Sequence, residues 1–130
     1  MDGEALERIR SNASFAIERF STLVDFEFGY GRESVAWLEG FIDRQRLRGG
    51  DTSKLIGVIG SFLGEAIIAS AGGVWTEAEQ AYGVVFSAGD ICFPFAKVSK
   101  QFENGTEGGD GILSFYDIAV DYVAKGKLGR

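Results

Sequence analysis

One stretch governs what this chain can fold into: Leu55–Trp75, LIGVIGSFLGEAIIASAGGVW, a long apolar run carrying one charge, Glu65, in an otherwise mixed sequence. On a helical wheel Leu55, Val58, Ile59, Phe62, Leu63, Ala66 and Ala69 form one arc, which Ile56 and Ile67 widen. That arc exceeds the roughly 100° stripe of a surface helix, so the spacing predicts a largely enclosed helix over Leu55–Ala71. Gly57, Gly60 and Gly64 lie beside the arc as a strip without side chains. Glycine inside a helix costs about 1 kcal/mol relative to alanine, so this strip predicts another backbone or a large aromatic side chain packed closely on it. Asp51 or Thr52 can cap the start, and Gly72-Gly73 supplies the left-handed stop.

About 20 apolar residues also suffice to span a bilayer, and Gly60-x-x-x-Gly64 matches the small-residue motif of packed transmembrane helices. Against that, an acidic residue in mid-span costs about 2.5–3.5 kcal/mol on insertion scales. The run also contains Gly72-Gly73, and its ends lack aromatic belts. The expectation is the core helix of a soluble domain, with no membrane partner.

The chain's 130 residues make one domain, able to bury about two-thirds of its unfolded surface. With 45% apolar residues and 11 phenylalanines a real core is within reach. A net charge of −6 argues against nucleic acid, which calls for a basic footprint. The absence of histidine removes imidazole catalysis and most zinc sites. Cys92 is alone, so no internal disulfide forms, and a reducing, cytoplasmic setting is expected. The start, MDGEALERIR, is unlike a secretory signal.

Taken in order, the periodicity predicts a first helix from Asp2 to about Val24, with Leu6, Ile9, Ala13, Ala16, Ile17, Phe20 and Val24 inward. Phe26-Glu-Phe-Gly-Tyr-Gly31 breaks it, either as an exposed contact patch through Phe28 and Tyr30 or, as the sequence favours, as aromatics plugging helix ends. A second helix is expected over Glu33–Arg48, inward at Val35, Leu38, Phe41 and Ile42, with a basic end that suits the helix dipole. After the central helix come three short β-prone runs, Val74–Glu77, Tyr82–Ser87 and Ile91–Phe93, with turns at Ala78–Ala81 and Ala88–Asp90. A short helix, Phe95–Glu103, follows Pro94. Asp110 then reads as the cap of a last helix, Ile112–Ala124, with Ile112, Phe115, Ala119 and Val123 inward. The tail Lys125–Arg130 is expected to fray.

Little of this carries chemistry. There is no phosphate-binding loop, dinucleotide fingerprint or nucleophile elbow, so no cofactor, metal or catalytic residue is expected. Cys92, between Ile91 and Phe93, reads as a small core residue. Glu65 is the foremost candidate: a carboxylate on an enclosed helix must be paired, hydrogen-bonded or protonated. It serves either a ligand or reaction, or a structural bond to a backbone end or to Trp75 Nε1, the second being the simpler. Lys97 and Lys100, near the Pro94 corner, could bind an anion, but a solvated helix face is the ordinary explanation. Asp90 is explained by its turn.

Leu63-Gly-Glu65, Gly72-Gly-Val-Trp75, Tyr82-Gly-Val-Val-Phe86, Phe93-Pro-Phe-Ala-Lys-Val-Ser-Lys100, Asn104-Gly105 and Phe115-Tyr-Asp117 follow one another along the second half. Together these segments, over about Leu55–Ala124, resemble a widespread family of small bacterial domains of unknown function. The resemblance implies a compact bacterial α+β domain and brings no activity, cofactor or site residues. Small acidic bacterial domains of this sort include immunity and other interaction proteins, which is analogy of fold rather than of site.

The expected architecture is α+β: three N-terminal helices, a three-stranded antiparallel meander, then two C-terminal helices. The expected function is a protein-interaction or regulatory module, with a small-ligand site or enzyme around Glu65 as the alternative. An exposed patch at Phe26, Phe28 and Tyr30 would favour the first, and a deep polar pocket at Glu65 the second. Oligomeric state is left open.

Overall fold

The computed structural model describes residues 1–124; the tail Lys125–Arg130, expected to fray, lies outside the described residues. Helix α1 (Gly3–Ser21) starts at Asp2, whose carboxylate accepts the Glu4 N–H at 2.8 Å. Its buried residues Ala5, Ile9, Ala13, Ala16 and Phe20 keep the three- and four-residue spacing of one face. It stops short of Val24, because the Thr22 hydroxyl donates to the Arg19 carbonyl at 2.8 Å and the Leu23 N–H to that of Phe20 at 2.9 Å. These bonds close the final turn on local groups. Helix α2 (Arg32–Arg48) buries Ser34, Val35, Leu38 and Ile42, and Phe41 is only half-buried.

Helix α3 (Ser53–Ala71) is the axis of the molecule and packs against α1, α2 and three further elements. Ile59, Phe62, Leu63, Ala66 and Ile67 are wholly buried on it. The expected arc is too wide at its ends: Ala69 is exposed, and Leu55 and Val58 are half-buried. At its start, Asp51 rather than Thr52 supplies the side-chain bond, accepting the Ser53 N–H at 3.0 Å and its hydroxyl at 2.7 Å. By length and composition α3 could cross a membrane. Here it packs against α1, α2 and three further elements, which bury 44% of that span.

Strands β1 (Val74–Ala78), β2 (Ala81–Val85) and β3 (Ile91–Cys92) form an antiparallel sheet in the order β1-β2-β3. Trp75 pairs with Val84 and Val84 with Cys92, so the three make one rank across the sheet. Trp75 and Val84 are buried and Cys92 partly so. Helix α4 (Pro94–Asn104) opens on Pro94, where a missing N–H costs nothing, and α5 (Ile112–Ala124) has the expected limits. Both pack on α2 and α3. The architecture is therefore α+β, with three N-terminal helices, a three-stranded antiparallel meander and two C-terminal helices.

Two rings lie on the glycine strip of α3. A Cβ at Gly60 would overlap the Phe95 ring, and one at Gly64 would overlap the Trp75 indole. Phe95 and Trp75 touch each other with centroids 5.7 Å apart. A Cβ at Gly57 would meet nothing within 4 Å. The close packing expected of the strip thus holds at two of its three positions.

Asp110 does not cap α5. Its carboxylate goes instead to Lys97 Nζ at 3.0 Å and Asn104 Nδ2 at 2.8 Å. The first amides of α5 donate to other side chains, Ile112 N–H to Gln101 Oε1 at 3.0 Å and Leu113 N–H to Glu39 Oε1 at 3.1 Å.

Candidate functional site

Glu65 lies on the half-buried flank of α3, ten residues before the tryptophan it meets. Trp75 Nε1 donates to Glu65 Oε2 at 2.9 Å, and Trp75 itself is 7% exposed. A buried indole N–H needs an acceptor, and glycine at position 64 lets the indole come close enough for Glu65 to provide one. Tyr30 is the third member. Burial, and then the Glu65 carboxylate, push its phenol above the ordinary range against the opposing effect of a hydrogen bond with Ser14. The Trp75–Glu65 bond is a latch between β1 and α3, and Tyr30, from the loop after α1, feels the charge of its carboxylate.

Phe28 belongs to the core rather than to a contact patch. It is buried between the rings of Phe20, Trp37 and Phe62, at 5.9, 6.0 and 5.3 Å between centroids. Tyr30 packs at a tilt on Phe62, 5.4 Å between centroids, and Phe26 stacks at 6.2 Å on Phe28. The aromatic loop therefore plugs the helix ends, as its composition suggests.

Asp90 is exposed in the β2–β3 turn, where its carbonyl accepts the Phe86 N–H at 2.9 Å. Lys97 and Lys100 line a cleft of about 470 Å³ with Ile91, Cys92, Phe93 and Phe115. Lys97 is already paired with Asp110, their side chains 18% and 21% exposed, whereas Lys100 is exposed. Burial pushes the Cys92 thiol up to about 11, so at neutral pH it is a protonated, weakly reactive group. Among the described residues no group of three or more His, Cys, Asp or Glu side chains is placed to hold a metal ion.

The strongest polar constellation went unread in the sequence. Gln101 is wholly buried, and its amide nitrogen reaches the Glu39 carbonyl at 2.8 Å, Asp43 Oδ1 at 3.0 Å and Thr106 Oγ1 at 3.3 Å. Asp43 also accepts the Thr106 N–H at 3.1 Å, and Arg46 donates to the Glu103 carbonyl at 3.1 and 3.3 Å. Burial works to raise the Asp43 pKa, but the hydrogen bonds from Thr106 and Gln101 and the charge of Arg46 win and hold it below the usual range. These bonds join α2, α4 and the loop before α5, so the network is a brace. Its sequence signal was the position of Gln101 three residues after Val98, on the inner face of α4.

An open apolar cleft of about 750 Å³ lies between α1, α2 and the start of α3. Its wall includes Phe15, Phe20 and Leu23 from the first helical segment, Phe41 from α2, and Leu55, Gly57 and Val58 from α3. Phe15 is 53% and Leu23 58% exposed, large apolar side chains that the described residues leave uncovered. Of the lining residues only Arg19 and Lys54 are charged; none is acidic. Phe15 was the readable clue, an aromatic off the buried face of α1.

A second apolar surface lies where β3 meets α5, around Phe86, Ile91, Phe115, Ile118 and Tyr122, with Ile118 66% exposed. Comparison of the chain with family models, with curated proteins and with solved structures found no match.

Proposed function

We propose that this chain is a small protein-interaction module, of the regulatory or toxin-neutralising kind, acting in a bacterial cytoplasm without a cofactor. The observation that carries the reading is the open apolar cleft of α1, α2 and α3, with Phe15 and Leu23 more than half exposed. Exposed large apolar groups gathered in one concavity mark interaction sites more often than chance scatter does. The polar side chains support the same view from the other side. Glu65 is committed to Trp75, and Gln101, Asp43 and Glu39 to bracing helices, so these polar side chains are engaged in structure rather than gathered at an open site. The alternative, a ligand site or enzyme around Glu65, would call for a deep polar pocket there, whereas the Glu65 carboxylate is engaged by the Trp75 indole. The bacterial, cytoplasmic part of the proposal rests on the resemblance of Leu55–Ala124 and on the lone, protonated Cys92.

The test is affinity capture from extracts of the native host, with the parent chain and a Phe15→Asp, Leu23→Asp variant compared by mass spectrometry. The expected result is a stoichiometric protein partner retained by the parent and lost by the variant. Retention of no protein, together with a small molecule that co-purifies and is released by Glu65→Leu, would refute the reading.

A further inference from the structure

We infer that the cleft between α1, α2 and the start of α3 receives an apolar helical segment of a partner protein, flanked by acidic residues. The inference rests on the protein-interaction reading and gives it a surface and a partner chemistry.

Gly57 carries the argument furthest. Glycine inside a helix is destabilising, and at Gly60 and Gly64 the compensation is visible as the Phe95 and Trp75 rings. At Gly57, its own helical backbone and chain neighbours aside, no atom of the described residues comes within 4 Å of where a Cβ would sit, and the residue lines the cleft. Ser61 donates its hydroxyl to the Gly57 carbonyl at 2.7 Å, but any residue offers that carbonyl. Position 57 is thus a depression in the cleft wall with no internal occupant, as a side chain from outside would need.

Shape and charge define the occupant. From Asn12 to Leu23 the wall runs about three helical turns, roughly 16 Å at 1.5 Å per residue, enough for anchors at i, i+4 and i+7 of a docked helix. The protein carries a net charge of −6, yet the charged groups lining this cleft are Arg19 and Lys54. That local inversion favours acidic flanks on the incoming segment and repels basic ones. The β3–α5 surface has the opposite lining charge, Asp90, and no unexplained glycine.

The probes are two fluorescein-labelled synthetic helices with identical Leu and Phe anchors, one flanked by Glu and the other by Lys, titrated by anisotropy. The parent should bind the Glu-flanked helix at least about tenfold more tightly than the Lys-flanked one. Gly57→Leu fills the depression from a site with open space, so it should remove about tenfold or more of that affinity while leaving thermal stability equal or higher. Arg19→Glu with Lys54→Glu should reverse the preference between the helices. Ile118→Glu, on the other apolar surface, should change nothing.

Equal binding of both helices, or binding that survives Gly57→Leu, would overturn the inference. Self-association abolished by Lys54→Glu would overturn it too, making a second copy the occupant. If the partner captured from host extract is lost with Ile118→Glu but kept with Gly57→Leu, the cleft assignment fails and the interaction reading stands. If the parent captures no partner, the reading itself fails.

Discussion

At Glu65 a single carboxylate separates structural from functional accounts. Because Trp75 Nε1 is buried and has Glu65 as its acceptor at 2.9 Å, Glu65→Gln preserves an acceptor oxygen and should cost little. Glu65→Leu strands the indole N–H, which should cost about 1–3 kcal/mol in denaturant unfolding. A Leu variant more stable than the parent would mark Glu65 as a strained functional acid instead. The Gln variant has a second readout: with the negative neighbour gone, the Tyr30 phenol should titrate lower, which carbon-13 tyrosine NMR can follow. Gly60 tests the packing side of the same helix. Gly60→Leu drives a side chain into the Phe95 ring and should destabilise by about 1–3 kcal/mol or more, seen as a lowered thermal midpoint. Gly57→Leu, one turn away on the same strip, should not.

Among the elements, the β1–β2 hairpin is where local sequence and local structure agree least. Its two-residue turn, Glu79-Gln80, holds both residues at positive φ, 52° and 68°. Non-glycine residues pay about 1–2 kcal/mol for that conformation, and hairpins of this kind favour Asn-Gly. Replacing Glu79-Gln80 with Asn-Gly should therefore raise stability by about 1 kcal/mol, measured as a higher urea midpoint with an unchanged slope. The same contrast explains what was legible beforehand. Leu55–Ala71, Glu33–Arg48 and Ile112–Ala124 were readable as helices because their periodicity and glycine or turn stops agree, and the meander because short β-prone runs alternate with turns. The latch was readable in outline, since an acid on an enclosed helix needs a donor and Trp75 was near. The brace of Gln101, Glu39 and Asp43 was not, because these bonds join residues about 60 positions apart and polar side chains show no period. The cleft was hidden for a related reason: periodicity reports which face of a helix is apolar, not whether the chain covers it. Asp110 had the right identity for a cap, and Lys97 with Asn104 took its carboxylate first.

For the whole molecule, the acid side of the pH profile reports how the pieces are held together. Four carboxyl groups tie elements or termini and sit below the usual carboxylate range. Asp43 does so despite burial, through Thr106 and Gln101; Asp51 through Ser53; Asp110 through Asn104 and Lys97; and Asp117 through Arg32. A group whose folded pKa lies below its unfolded one binds fewer protons in the native state. Its stabilisation is complete above the unfolded value, near 3.9 for Asp, and is lost as pH falls through the folded value. An opposing effect accompanies it, because protonation also relieves the self-repulsion of an acidic chain with net charge −6. Asp51, Asp110 and Asp117 are solvent-facing to different degrees, and the Arg32–Asp117 pair, 62% and 42% exposed, is a screened surface bridge that adds little. Asp43 has the firmest hold, since its partner Gln101 is wholly buried and has no water to turn to. Stability should thus be level from about pH 7 to 5 and decline below about pH 4, with Asp43→Asn less stable at neutrality and shallower in its acid decline. Urea unfolding at pH values from 7 down to 2.5 measures both. If the parent grows more stable on acidification through that lower range, relief of charge repulsion outweighs these bonds, and the brace of α2, α4 and α5 contributes little to holding the fold.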